Sequence, residues 1–273
     1  MQTDDFQHLV ESRALSAIPM VCSIGVFDGV HKGHQEIITT CVSYAHRNGW
    51  KSMVVTFNRN PKVPAGVKAP LLMSQAQKRQ FLAELGVDYL VVIDFSSDFS
   101  KLTGVEFLNL LGTLCTVKGI VVGVDFRCGT PASCAGPEQL QEYLNRRGPG
   151  NKLLIPPYVR LGSGERVSSS LVRKTLKTGD LPLVEKMLGR YYSLDLRGSA
   201  PEYRDGNLWY PLEKLEQLLP PCGTYVAQAL TADGSRIPVV ARLTTKELVL
   251  KAERSDVFPV DIEQLYVIQR YGT

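Results

Sequence analysis

The 273-residue sequence contains no uninterrupted apolar run near the ~20 residues that a membrane-spanning helix requires; stretches such as YLVVIDF break off within a few positions. A membrane-spanning role is excluded on that reading. Its six cysteines, Cys22, Cys41, Cys115, Cys128, Cys134 and Cys222, form no C-x-x-C pair, so neither a thiol redox motif nor a cysteine zinc site is spelled out. The start, MQTDDFQHLV, carries two early acids where a secretory leader has a basic segment and an apolar stretch. A cytoplasmic protein with free thiols is expected. Charge of one sign is scarce too: 31 Lys and Arg against 27 Asp and Glu leave a net +4, too little for a nucleic-acid binder with its clustered basic stripes. Solenoid repeats and low-complexity tracts are lacking as well. What remains, 44% hydrophobic and 21% charged residues, is the composition of a chain that folds, and it suits an enzyme handling phosphates in one pocket.

At about 150 residues per domain the length suggests two domains. From residue 20 to about 158, five β-rich apolar runs (MVCSIGVF, SMVVTF, YLVVIDF, GIVVGVDF and KLLIPPY) alternate with helical stretches. One such stretch places Ile37, Ile38, Cys41, Val42 and Ala45 on one face and stops at Asn48-Gly49. This alternation predicts βαβ units and a parallel sheet covered on both faces, an α/β fold with ligands bound beyond the carboxyl ends of its strands. Two more helical stretches follow Ser168 and run to about Leu188. The pattern then changes through LGRYYSLDLRGSAPEYRDG, so a boundary is expected near residue 189. A small β domain should follow, read as a meander of Thr224 to Leu230, an Asp233-Gly234 hairpin, Ile237 to Leu243, Leu248 to Ala252 and Leu265 to Arg270.

The strongest chemical signal is GVFDGVHKGH, Gly25 to His34, where a strand ends, the chain turns at Asp28-Gly29 and a helix opens near Gly33. The first N–H groups of a helix are unsatisfied and its dipole is positive there, so the turn is an anion site. His31 and His34 add donors, and Gly33 lets a phosphate or base approach the backbone. H-x-G-H arises by chance in roughly one chain in a hundred of this length. A three-residue histidine spacing can also chelate zinc, but a third ligand is missing, since His8 and His46 have no motif around them. The second signal is RVSSSLVRKTL, Arg166 to Leu176. Ser168 or Ser169 can cap the helix, and Arg173 brings a charged fork to the same end. No Ser-His-Asp or paired-carboxylate motif is present.

Together these segments resemble the H-x-G-H nucleotidyltransferase superfamily, whose second signature is I-S-S-T-x-x-R. More closely, they resemble the bacterial FAD synthetase family, the bifunctional riboflavin kinase and FMN adenylyltransferase. The resemblance runs from about residue 20 to 192 through GVFDGVHKGH, VVTF with Asn60-Pro61, LAELGVD, VVGVDFRCG with a trailing Gly136, RVSSSLVR and LGRYYSL. It implies a Rossmann-like adenylyltransferase domain over residues 1–188 and a riboflavin-kinase-like β domain over 189–273. ATP and FMN are the implied substrates and Mg²⁺ the implied cofactor. His31, His34 and Arg173 are the implied catalytic residues. Gly25, Phe27, Asp28, Gly33, Arg166, Ser168, Ser169 and Ser170 would bind ATP, while Asn60, Asp125, Phe126 and Arg127 would lie by the flavin or the metal, with Asn60 and Asp125 as candidate magnesium contacts.

Two departures stand out. The family's F-D/E-P-H/N-P reads Phe57-Asn58-Arg59-Asn60-Pro61, an acid lost and a cation added, and Ser170 stands for the usual threonine. The kinase hallmark P-T-A-N after G-R-x-L-G-F is replaced by RDGNLWYPLEKL, no helix follows the last strand before Thr273, and Glu247 is only a loose match to the kinase glutamate. FMN adenylyltransferase is therefore the expected activity, acting on small molecules without nucleic acid or membrane, with self-association into a homo-oligomer left open. The alternatives are the bifunctional enzyme, a flavin or nucleotide sensor, and a sister transferase acting on pantetheine phosphate or nicotinamide mononucleotide.

Overall fold

The computed structural model describes residues 1–61, 63, 67, 69–94, 99–252 and 261–271; Phe95, at the end of the third expected strand, and Thr273 lie outside them. Contacts divide the chain into two compact units, one of Met1–Phe27, Gly33–Ala69 and Lys78–Arg166, the other of Asp28–Lys32, Pro70–Gln77 and Val167–Thr273.

The first unit is built on six parallel strands, β1 (Gln2–Asp5), β2 (Pro19–Ile24), β3 (Lys51–Phe57), β4 (Tyr89–Ile93), β5 (Thr116–Val121) and β6 (Lys152–Leu154), in the order β1-β4-β3-β2-β5-β6. Helices α1 (Phe6–Ser12), α2 (Lys32–Arg47), α3 (Gln75–Glu84), α4 (Gly104–Leu114) and α5 (Pro137–Arg147) connect them. All five expected strands are present. The sixth, β1, was not anticipated because it is a polar edge strand, Gln-Thr-Asp-Asp, with no apolar alternation to announce it. β6 is also shorter than KLLIPPY, since Pro156 and Pro157 have no N–H to give a ladder. Both faces of the sheet are apolar, as parallel sheets require: Met20, Cys22, Met53, Val55, Val91 and Ile120 join Leu108, Leu111 and Leu114 of α4 in the larger core cluster, and Val21 and Val121 pack with Cys41 and Ala45 of α2. The chain moves from β2 to β3 to β4 and then returns to place β5 on the other side of β2. The order thus reverses beside β2, at the type of crevice where open α/β sheets bind ligands.

Asp88, just before β4, ties this sheet to the end of α2. It accepts hydrogen bonds from the Ser52 amide (2.9 Å) and hydroxyl (2.8 Å), His46 Nε2 (2.7 Å) and Lys51 Nζ (3.2 Å). Burial works to raise its carboxyl, but these donors outweigh it and bring it down to about 2. A depressed carboxylate stabilises the fold above its unfolded value, and that stabilisation is lost as pH falls through the folded one. Asp88→Asn should cost about 1–2 kcal/mol at pH 7, allowing for solvent screening, and should flatten the loss of stability between about pH 4 and 2. Urea midpoints across that range check it; identical pH curves for the two proteins would contradict it.

The second unit contains α6 (Ser169–Thr178), α7 (Leu181–Leu188) and a seven-stranded antiparallel sheet of β7 (Tyr192–Asp195), β8 (Glu202–Arg204), β9 (Asn207–Pro211), β10 (Gly223–Thr231), β11 (Arg236–Leu243), β12 (Glu247–Ala252) and β13 (Ile262–Arg270). Its order is β7-β13-β10-β11-β12-β9-β8. Alternate residues of β10, Tyr225, Ala227, Ala229 and Thr231, are buried, the period-two signature of a strand with one face on a core. The expected meander is corrected here. After the hairpins β10-β11-β12 the chain returns to lay β13 beside β10 and not beside β12, which is a Greek key. The Gly-, Pro- and charge-rich stretch after residue 189 also holds two strands, β7 and β8, and leads directly into a third, β9; their short, turn-interrupted sequences hide them.

Residues 70–77 belong to this unit through polar contacts. Gln77 Nε2 donates to Ser193 Oγ (3.0 Å) and Gln264 Oε1 (3.3 Å), Gln217 Nε2 to the Leu72 and Ser193 carbonyls, and Ser74 Oγ to Asp195 Oδ2 (2.5 Å). Gln77, Gln217 and Gln264 are buried, so satisfied hydrogen bonds are what make the arrangement tenable.

Candidate active site

Each half of the H-x-G-H segment is held by its own surroundings. In the first unit, Gly25 leaves β2 with its amide donating to the Val55 carbonyl (3.0 Å). A Cβ at Gly25 would stand 2.9 Å from the buried Phe27 ring, so the glycine makes room for that ring. Phe27 adopts a left-handed backbone (φ 48°) and meets the His34 ring edge-on, centroids 5.3 Å apart. The Val26 carbonyl just before it accepts from Thr56 Oγ1 (3.1 Å) and from Lys78 Nζ (2.9 Å). Lys78 is a buried lysine that the sequence reading passed over. Its signal was available, because it shares a helical face with buried Leu82, one turn away on α3, and a cation on an apolar stripe calls for acceptors.

In the second unit lie Asp28, Gly29 (φ 76°), Val30 (φ 35°) and His31. His31 is buried and directly precedes α2, whose first turn carries Gly33 and His34. Asp28 is 6% exposed, and a carboxylate so buried needs partners. Its Oδ1 accepts from the Leu72 amide (2.9 Å) and its Oδ2 from Arg173 Nη2 (2.5 Å), while its carbonyl accepts from Ser169 Oγ (3.0 Å). Ser168 is the N-cap of α6, its hydroxyl accepting from the Leu171 amide (3.2 Å), and Ser170 is exposed on the first turn. Arg173 also gives Nη1 to the Pro70 carbonyl (2.6 Å). The two signature segments are therefore joined directly, Asp28 to Ser169 and Arg173. Arg190, a residue outside the predicted site, donates Nη2 to the Gly29 carbonyl (2.7 Å) and Nη1 to that of Val30 (3.2 Å).

The residues expected near the flavin or the metal fall in the first unit. Asp125, Phe126 and Arg127 follow β5, on the far side of the switch point from β3, and Asn60 follows β3. Asp125 pairs with Arg166 Nη2 at 2.8 Å, and the Arg166 guanidinium lies 3.8 Å from the centre of the Tyr158 ring. Phe126 packs partly into the core, whereas exposed Arg127 donates to the Phe126 carbonyl (2.7 Å) and lies over Gly136, where a Cβ would stand 3.1 Å from it. Asn60 is half-buried and its carbonyl accepts from the Val63 amide (3.0 Å). Asn58, at the position of the family's acid, donates to Asp94 Oδ1 (2.6 Å), so an acid is restored beside it from the end of β4. Asn60 and Asp125 offer oxygen donors, the class magnesium takes. Among the described residues no three His, Cys, Asp or Glu groups converge on one metal.

The sequence profile of the family described as FAD synthetase matches residues 15–171. Over 236 residues the chain is 30% identical to the bifunctional riboflavin kinase/FMN adenylyltransferase of Escherichia coli (strain K12), an alignment covering 84% of this chain and 74% of that protein. The protein of the same name from Bacillus subtilis (strain 168) is 26% identical over 232 residues, with 81% and 70% covered. A crystal structure described as a macrolide-efflux protein from Streptococcus pneumoniae is similar with a TM-score of 0.82 at 22% identity, covering 99% of this chain and 91% of that one, a likeness of fold. Among the described residues, no helix is long and apolar enough to cross a membrane.

Proposed function

The chain belongs to the FAD synthetase family, and on that premise we propose that it works through the Asp28–His31 turn and the serine-capped start of α6. It is an FMN adenylyltransferase: it transfers AMP from ATP to FMN, releases pyrophosphate and makes FAD. A phosphate oxygen of FMN forms the new bond to the α-phosphorus while the bond to the bridging oxygen of pyrophosphate breaks. The substrate brings its own nucleophile, so the protein's task is positioning and stabilisation of phosphate charge.

The observation that carries the division of roles is the direct link, across 141 residues, of Ser169 Oγ to the Asp28 carbonyl, with Arg173 paired to the same Asp28. It supports a phosphate-binding locus in the second unit made of His31, Ser168, Ser169, Ser170 and Arg173, with Asp28 shaping the turn; in the first unit His34 is assigned to phosphate, Gly25, Phe27 and Gly33 to ATP, and Arg166 to the nucleotide, by the family resemblance. Asn60 and Asp125 would hold the Mg²⁺ that accompanies ATP, and the ion when bound neutralises phosphate charge. Phe126 and Arg127 are assigned to FMN. Arg127→Ala should raise KM for FMN about tenfold, the loss of one charge-assisted hydrogen bond, and leave KM for ATP near the native value. Titrating the two substrates separately checks this; a change confined to ATP would refute the assignment.

We assign the groups that contact ATP and FMN to residues 1–188 and leave the β domain of 189–273 without a kinase role, in a cytoplasmic enzyme that acts on small molecules and not on nucleic acid. Phosphorylating riboflavin requires a metal bridging ATP phosphates and a base near the hydroxyl. In the β8–β9 region, Glu202–Arg204 and Asn207–Pro211, Trp209 and Tyr210 precede Pro211 and the Thr-Ala-Asn run is absent. Purified protein with Mg²⁺ and ATP should convert FMN to FAD, make no FMN from riboflavin, and leave pantetheine phosphate and nicotinamide mononucleotide untouched. FMN produced from riboflavin by a preparation of His31→Ala would establish the bifunctional reading.

A further inference from the structure

Val30 combines two properties that rarely coexist, a β-branched side chain that is fully buried and a positive φ of 35°. Gly29 before it and Phe27 two residues further back are left-handed as well. Such backbone persists only where its surroundings over-determine it. At Gly29 and Val30 the surrounding group is the guanidinium of Arg190, with Nη2 2.7 Å from the Gly29 carbonyl and Nη1 3.2 Å from that of Val30. Arg190 is itself fixed. It directly follows Gly189, whose left-handed cap closes α7 by donating its backbone N–H in a hydrogen bond to the Glu185 carbonyl, and its Nη1 also holds the Leu188 carbonyl (3.1 Å) at the end of that helix.

We infer that Arg190 is a positioning residue for adenylyl transfer, acting through the Gly29–Val30 turn to set His31. Each peptide unit is planar, so holding a carbonyl also fixes the N–H of the next residue and its Cα. The two carbonyls that Arg190 holds belong to the peptide planes on either side of Val30, and the second plane ends at the Cα of His31. Arginine suits the task because its planar fork reaches two acceptors in fixed geometry, which an ammonium group on a flexible stem cannot reproduce. Arg190 touches no reacting atom. Its effect should appear in kcat and not in FMN affinity.

The inference rests on the FMN adenylyltransferase reading, and the test separates the two. In the full chain, Arg190→Ala should lower kcat on the order of 10- to 100-fold, the scale of a displaced catalytic group, with KM for FMN within about twofold of native. Arg190→Lys should fall between. Millimolar guanidinium should restore part of the kcat of the alanine variant, and methylammonium should not. Amide exchange at residues 29–31, measured without any substrate, should quicken roughly tenfold in the alanine variant. A folded Arg190→Ala with native kcat overturns the inference, as does a loss that guanidinium leaves unchanged. If the alanine variant does not fold, the lysine variant decides: reduced kcat at unchanged KM for FMN supports the role, and native kcat overturns it. Should the native protein form no FAD, the adenylyltransferase reading fails, and unchanged exchange at residues 29–31 would separately overturn the role of Arg190.

Discussion

Replacing His31 or His34 with alanine is expected to lower FAD formation on the order of 10²–10³-fold each, because on the proposed assignment each removes a donor to developing phosphate charge, worth about 2.7–4 kcal/mol in comparable sites. The two should differ in what accompanies the loss. His34 lies edge-on against Phe27 at 5.3 Å, and aromatic pairs of this kind contribute about 0.5–1.5 kcal/mol beyond their burial. His34→Ala should therefore also lower the thermal midpoint by a few degrees. Initial rates with both substrates saturating, read beside melting curves, give both quantities. Folded variants that keep a near-native kcat/KM would remove the histidines from the phosphate locus.

Arg173→Ala should produce a compound effect. Its partner Asp28 has a side chain only 8% exposed, and removing one member of a buried pair costs on the order of 3 kcal/mol because the other is left uncompensated. The Leu72 amide on Oδ1 softens that cost without abolishing it. On the functional side, kcat/KM for ATP should drop on the order of 10²-fold, as charge-assisted contacts to phosphate are lost, while KM for FMN stays near native. Arg173→Ala combined with Asp28→Asn separates the two consequences: the second change removes the stranded charge and should recover stability but not ATP use. Recovery of ATP use in the double variant would mean that Arg173 serves only to neutralise Asp28.

The sequence made legible whatever rests on local pattern. The strand, turn and helix from Met20 to Arg47 and the capped helix at Ser168 follow from apolar periodicity, glycine and a serine N-cap, and the structure has them. Features that depend on partners far along the chain left no such trace. β1 is polar because it is an edge, and β13 lies beside β10 because of a long return, not a hairpin. Arg190 reads as an ordinary surface cation until its acceptors, the carbonyls of Gly29 and Val30, are brought to it. The attachment of residues 70–77 to the C-terminal sheet is carried by glutamines and a serine, residue types with no periodic signature of burial.

That attachment imposes an order on biosynthesis. Gln77 hydrogen-bonds to Gln264 across 187 residues, and at about 5–20 residues per second a ribosome needs roughly 10–40 s to travel between them. Through about the first half of that interval the nascent chain carries Asp28 without Arg173, Gly29 and Val30 without Arg190, and Ser74 without Asp195. The Asp28–His31 turn, made early, is thus completed only once partners 145 to 161 residues further along the chain have been synthesised. A chain released early by a stalled ribosome would carry the H-x-G-H signature in full and still lack the machinery that gives it shape.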